Sequence, residues 1–197
     1  MKIYTKKGDG GETALYDGTK LCKSHTIICL NGTVDECNSY LGLSIAALSP
    51  NIKDCIPVRD QLFLLQHVLF DLGCLISCGY NQKDLSKTPI QTDFISVTQR
   101  IETWIDSYTE KLPKLTQFIL PGGSLAASHL HVARSISRKL ETLMCEQVFI
   151  KDFFPQALKF INRLSDFLFT LARYVNILLK EPEIFWDKAI VDKLNFP

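Results

Sequence analysis

"PQALKFINRLSDFLFTLARYVNILL", residues 155–179, is apolar on nearly every side of a helical wheel. Phe160, Ile161, Leu164, Phe167, Leu168, Leu171 and Val175 leave little of its circumference polar, and Pro155 stands in the first turn, where a missing N–H leaves no bond unmade. Such a helix is buried on most sides, in a core or in an oligomer interface. Its exceptions, Asn162, Asp166 and Arg173, share one stripe, and polar groups at that depth require partners. Two readings stay open: Asp166 and Arg173 form a structural pair, or the stripe, Asn162 first, faces a ligand.

Outward from this helix the pattern repeats. Ser124 is a candidate N-cap for a helix running to about Phe149, preceded by a Pro-Gly-Gly turn at 121–123. On a wheel at about 100° per residue, Leu125, Val132, Ile136, Leu140 and Leu143 fall in one sector, which reads as its inner face. His131, Arg134, Ser137, Arg138 and Glu141 gather opposite with Ala127. That polar face is either solvated, with an Arg138–Glu141 pair one turn apart, or turned to a ligand.

Three more helices complete the count: Asp35–Leu48, stopped by Ser49-Pro50; Ile56–Tyr80; and Phe94–Lys111, with Ile101 and Trp104 inward. Asn81–Asp93 lacks periodicity and reads as a loop. Five long helices without convincing strands predict an all-α, five-helix bundle in one domain, which suits 197 residues. The chain divides into an N-terminal segment, 1–24, a helical bundle, 33–180, and a tail, 181–197, whose Ile184, Phe185 and Trp186 are expected to dock on the bundle.

A net charge of +1 argues against a global field for nucleic acid or anionic membrane, so any anion site is local. Seven cysteines without a CxxC pair argue against a disulfide framework or zinc ribbon and imply a reducing compartment. Cys74 and Cys78, one turn apart, read as small core residues. No secretory h-region or membrane-spanning apolar run is evident, so the expected setting is the cytoplasm, or the mitochondrial matrix if a presequence has been removed.

The N-terminal segment is unusual in composition. Gly8, Gly10 and Gly11 surround Asp9, with Thr5, Lys6, Lys7, Thr13, Lys20 and Lys23 around them. Exposed backbone N–H groups with cations suit a polyphosphate, although neither a phosphate loop nor a dinucleotide fingerprint is present; a flexible polar terminus has the same composition.

Four stretches, "IYTKKGDGGET" (3–13), "GTVDECNS" (32–39), "FILPGGSLAASHLHVARSISRKLE" (118–141) and "INRLSDFLFTLARYVN" (161–176), resemble in order and spacing the PduO-type ATP:cob(I)alamin adenosyltransferases. The resemblance implies a homotrimer of five-helix bundles with active sites between subunits. It implies transfer of the 5′-deoxyadenosyl group of ATP to Co(I) of reduced cobalamin, with release of triphosphate and with Mg²⁺ carried on the phosphates. It assigns Thr5, Lys6, Lys7, Gly8, Thr13 and Lys23 to the phosphates, with Asp9 and Gly11 shaping the loop. Arg138, Glu141, Thr142 and Asn162 fall to ATP on the two long helices, and Asp35 and Arg134 to an ion pair across the interface. Phe118 falls to the lower face of cobalamin, and no protein side chain is assigned to a metal. A reductase supplying Co(I) and a cobalamin-dependent acceptor enzyme are the implied partners, with no role for nucleic acid or membrane.

Where the family typically carries Arg-Arg-Ala-Glu-Arg, this chain has "RKLET", placing Lys139 and Thr142 at two arginine positions. Lysine keeps the charge without the bidentate fork, and Thr142 has no charge, which implies a lost phosphate contact. The alternative function is an ATP- or adenosylcobalamin-binding sensor or carrier without turnover.

Overall fold

The computed structural model describes residues 2–49, 51–80, 90 and 92–192. Five long helices pack side by side: α1 (Thr26–Ala47), α2 (Cys55–Gly79), α3 (Phe94–Thr109), α4 (Leu125–Cys145) and α6 (Pro155–Leu179). A short α5 (Val148–Phe153) precedes α6, and α7 (Lys188–Asp192) lies in the tail. Most of the expected loop 81–93 lies outside the described residues.

The all-round apolar α6 is a core element. It packs between α4 and α3 and also touches α2 and α5, and Phe160, Ile161, Leu164, Phe167, Leu168, Leu171 and Val175 are fully buried. Its apolar excess is therefore taken up inside the chain, and of the two placements the sequence left open for it, the core holds. The stripe is satisfied differently from the expected pair: Asp166 accepts from Arg163 at 2.8 Å, while Arg173 reaches the tail residue Glu183 at 2.5 Å. The i,i+3 neighbour is within reach of Asp166 on the exposed side, whereas Arg173 is buried and needs a carboxylate brought to it.

Three features differ from expectation. α1 starts at Thr26, nine residues before the predicted Asp35, under His25, whose Nδ1 accepts from the Ile27 amide at 3.2 Å. Thr26, Ile27, Ile28, Gly32, Thr33 and Val34 are poor helix formers, and burial of Ile27, Leu30 and Val34 overrides that propensity. Ser124 caps α4 as expected, its Oγ accepting from the Ala127 amide at 3.2 Å, but α4 ends at Cys145, not Phe149. The extended backbone at Gln147 breaks it and α5 turns Ile150 into the core. The third difference is a two-stranded antiparallel sheet, β1 (Glu12–Ala14) with β2 (Lys20–Cys22), whose three-residue strands are too short for an alternation signal. Gly18 at φ +87° makes the hairpin turn, and Leu15 anchors it in the core.

The inner face of α4 is also rotated from the expected one. Leu125 and Val132 are exposed, while Ala126, Ala127, Ala133, Ser137 and His131 are buried beside Leu130, Ile136, Leu140 and Met144. α4 lies between α1 and α6, and small side chains admit both neighbours closely; the Cys37 thiol of α1 donates to the Ala133 carbonyl at 3.6 Å. Ranking residues by apolarity alone places Ala127 on the wrong face.

α2 is long and apolar enough by length and composition to cross a membrane, but half of its apolar window is buried in the bundle, Leu62, Leu65, Leu69, Leu72 and Ile76 completely. Of the expected small core cysteines on it, Cys78 is buried and Cys74 exposed, and all seven cysteines are free. The tail does not dock through its apolar cluster. Ile184, Phe185 and Trp186 stay roughly half exposed, and the attachment is made by an antiparallel backbone bridge between Ile119 and Phe185 and by the Arg173–Glu183 pair.

Candidate functional site

The hairpin builds the first part of the site. The glycine turn before β1 is closed by Gly11 N–H to the Gly8 carbonyl at 3.3 Å, and Lys23 N–H donates to the Gly11 carbonyl at 2.9 Å, which draws the lysine back over the glycines. A Cβ on Gly8 would stand 3.2 Å from Lys23 Nζ, a tight contact that the bare backbone avoids. Thr5, Lys7, Gly8, Glu12, Thr13, Lys20 and Lys23 line the resulting hollow of about 760 Å³. Lys6 does not line it; its φ of +60° instead shapes the turn. Lysine ammonium groups and unshielded backbone amides around one hollow form an anion cradle.

The second part lies between α4 and α6. Asn162 Nδ2 donates to Glu141 Oε1 at 2.8 Å, and both residues line a groove of about 310 Å³ with Thr98, Glu102, Lys159 and Arg163. Glu141 is thus joined to α6 and not to Arg138. The Arg138 side chain is exposed and its guanidinium has no partner among the described residues. Thr142 turns its hydroxyl back to the Arg138 carbonyl at 3.1 Å, and Lys139 points to α1, 3.7 Å from Glu36. Neither "RKLET" departure reaches the groove.

Phe118 stands apart, 81% exposed, on the segment bridged to the tail. Asp35 and Arg134 make no ion pair with each other among the described residues. Arg134 lies over the Phe169 ring, 5.4 Å from its centroid, and Asp35 is exposed at the rim of a cavity between α1 and α2. Beside Arg134, the buried His131 has its pKa lowered, first by burial and then by the Arg134 charge. No described hydrogen bond or ion pair joins the hairpin lysines to Arg138, Glu141 or Asn162. The chain presents its candidate residues as separate patches.

The profile of the cobalamin adenosyltransferase family matches residues 3–175. The chain belongs to the cobalamin adenosyltransferase family. It is 40% identical to the corrinoid adenosyltransferase of Bacillus subtilis (strain 168) over 97% of this chain and 95% of that one. It is 37% identical to the cobalamin adenosyltransferase of Cupriavidus metallidurans over 95% of each. Its structure is similar, with a TM-score of 0.84 and 33% identity, to a phenylalanine-to-alanine variant of a PduO-type ATP:corrinoid adenosyltransferase from Lactobacillus reuteri, complexed with cobalamin and ATP. The match covers 95% of this chain and 100% of the other.

For a member of this family, one feature of the structure was missed in the sequence. The α1–α2 cavity, about 430 Å³, is lined by Val34, Leu69, Phe70, Gly73 and Cys74, with Tyr16 at its mouth. Asn31 and Asn38 also line it; their amide nitrogens donate to Ser77 Oγ at 2.7 Å and the Gln66 carbonyl at 3.3 Å, while both carbonyl oxygens are buried without a partner. Two orphaned acceptors in an apolar cleft call for a donor from elsewhere. The signal was present: Asn31, Asp35 and Asn38 fall at i, i+4 and i+7 on one helix face.

Proposed function

We propose that this chain is an ATP:corrinoid adenosyltransferase that transfers the 5′-deoxyadenosyl group of ATP to Co(I) of reduced cobalamin, giving adenosylcobalamin and triphosphate. The observation that carries the reading is the glycine-lined cationic hollow, retained with Thr5, Lys7, Gly8, Thr13 and Lys23 around it, on a chain of this family. The triphosphate lies in that hollow. Adenosine lies at the Glu141–Asn162 pair, where the second carboxylate oxygen and the Asn162 carbonyl are left to accept from ribose hydroxyls or the adenine amine.

The chemistry asks little of side chains as reagents. Co(I) brings its own electron pair to C5′; the Co–C bond forms as the C5′–O bond breaks, and the triphosphate departs with the bonding pair. The protein holds C5′ in line with cobalt and stabilises the charge growing on the leaving group. Lys7, Lys23 and the exposed guanidinium of Arg138 serve the second task. Mg²⁺ carried on the nucleotide phosphates would neutralise part of the charge that these cations face.

Phe118 supplies a bare aromatic face suited to the lower side of a corrin, favouring a cobalt without its lower ligand. The separation of these patches in one chain supports assembly of each active site from two subunits of a homotrimer, with Asp35 of one facing Arg134 of the next and exposed Leu125 and Val132 available to the contact. A reductase must then supply reduced corrinoid, and a cobalamin-dependent enzyme take the product.

The test is anaerobic mixing of the protein with ATP, Mg²⁺ and chemically reduced cob(I)alamin, following the cobalt bands and triphosphate. Growth of the adenosylcobalamin spectrum with stoichiometric triphosphate is expected. A flat trace with ATP still bound would replace the enzyme by a carrier.

A further inference from the structure

Phe118 is held by backbone rather than by packing. Its carbonyl accepts from Trp186 N–H at 2.8 Å, and Leu120 N–H donates to the Ile184 carbonyl at 2.8 Å, so the Phe118 segment hangs on the tail by these two backbone bonds. The tail in turn is fixed at Glu183, whose carboxylate takes Nε of Arg173 at 2.5 Å and Nη2 at 3.2 Å. The two side chains are only 7% and 12% exposed, so this pair is shielded from solvent. Arg173 Nη2 also donates to the Pro113 carbonyl at 3.0 Å, at the start of the same segment. One turn further along α6, Asn176 holds the segment's far end: its amide nitrogen donates to the Gly122 carbonyl at 3.1 Å and its oxygen accepts from Ser124 N–H at 2.9 Å.

Both ends of residues 113–124 are therefore tied to one face of α6, and their middle to a tail fixed on the same arginine. We propose that Glu183, through Arg173, is a positioning residue for Phe118: the tail is a brace that fixes the aromatic ring at the corrin face. This rests on the reading of Phe118 given above. Neither Arg173 nor Glu183 lines the hairpin hollow or the Glu141–Asn162 groove, so the brace acts on the corrin side of the site and leaves ATP binding alone.

The experiment compares the full-length protein with Glu183→Gln, Glu183→Ala, Phe118→Ala and the double variant Phe118→Ala/Glu183→Gln. It reads amide hydrogen exchange at Leu120 and Trp186, the Co(II) absorption band of cobalamin lacking its lower ligand, and kcat and KM for ATP. Glu183→Gln preserves the shape of the site if Glu183→Ala fails to fold. In the glutamine variant, exchange at both amides is expected to accelerate and the lower-ligand-free band to fall as in Phe118→Ala. A drop in kcat of about 10- to 100-fold at unchanged KM for ATP is expected, as a displaced contact can produce. The double variant should be no worse than Phe118→Ala.

Unchanged exchange overturns the brace. So does a normal cobalt band in Glu183→Gln beside an altered one in Phe118→Ala, and so does a KM for ATP that rises with the loss of kcat, which is the mark of general damage. If Phe118→Ala itself leaves the band unaltered, the reading of Phe118 falls and takes its positioning with it, and exchange then reports only a structural tie.

Discussion

Asn162 and Glu141, 21 positions apart in sequence, meet side chain to side chain at 2.8 Å across the α4–α6 seam. The bond engages the asparagine's amide nitrogen and leaves its side-chain oxygen as an acceptor beside the groove the residue lines. Asn162→Ala removes that acceptor and frees Glu141. ATP affinity is expected to weaken on the order of tenfold, as for loss of one hydrogen bond in a complex with a charged partner. Calorimetric titration with ATP measures it; an unchanged Kd removes the pair from the nucleotide site.

Arg138 has no partner among the described residues, so its removal leaves no structural bond unmade. Arg138→Ala should keep stability within roughly 0.5 kcal/mol, as for an exposed substitution, while kcat falls on the order of 100- to 1,000-fold, as for loss of one preorganised donor to a charged transition state. Urea denaturation beside the anaerobic assay separates the two. A large stability loss with preserved turnover would make Arg138 structural.

Gly8 and Lys23 act through one contact, the ammonium standing 3.2 Å from where a Cβ on residue 8 would lie. Gly8→Ala displaces the lysine and Lys23→Ala deletes it, so each should raise KM for ATP, and the double variant should do less than the two effects combined. Full additivity in steady-state kinetics would show that the two residues act separately.

Asp35 and Arg134 are not paired within the chain. If they meet between subunits, Asp35→Asn and Arg134→Ala should each lower activity and shift the sedimentation mass toward smaller species, more so at high salt, where a partly exposed pair is screened. Wild-type mass and activity in both would dissolve the interface assignment.

His131 gives stability a pH dependence of known sign. Its pKa is lowered in the fold by burial and by Arg134, against a smaller opposite effect of Glu183. The unfolded chain thus binds a proton more readily. The contribution is fully present above the ordinary histidine value of about 6.5 and is lost as the pH falls from there through the lowered folded value. Urea midpoints should drop over that range, and His131→Gln should flatten the drop; an equal slope in the variant assigns it to another group.

Much of this protein was legible because its helices obey periodicity over long spans. The cap at Ser124, the inward Ile101 and the burial of Phe160, Ile161, Leu164, Phe167, Leu168, Leu171 and Val175 follow local patterns, and each was where its pattern put it. Where local propensity and burial disagreed, the pattern misled. α1 extends back through Ile27, Ile28 and Thr33 because the core rewards their apolar groups more than helix propensity penalises them. α4 buries alanine and serine and exposes Leu125 and Val132 because two helices approach it closely.

The sequence by itself determined the helical class, the candidate residues and the family, because periodicity, capping and motif spacing are properties of neighbouring positions. Only the tertiary structure decided which of these residues meet. That Arg173 pairs with Glu183 and not Asp166, that Glu141 turns to Asn162 and not Arg138, and that Asn31 and Asn38 reach Ser77 and Gln66 with their amide nitrogens all depend on how helices distant in sequence pack. A charged or amide side chain takes the partner that burial brings within hydrogen-bond distance, and wheel geometry does not contain that distance.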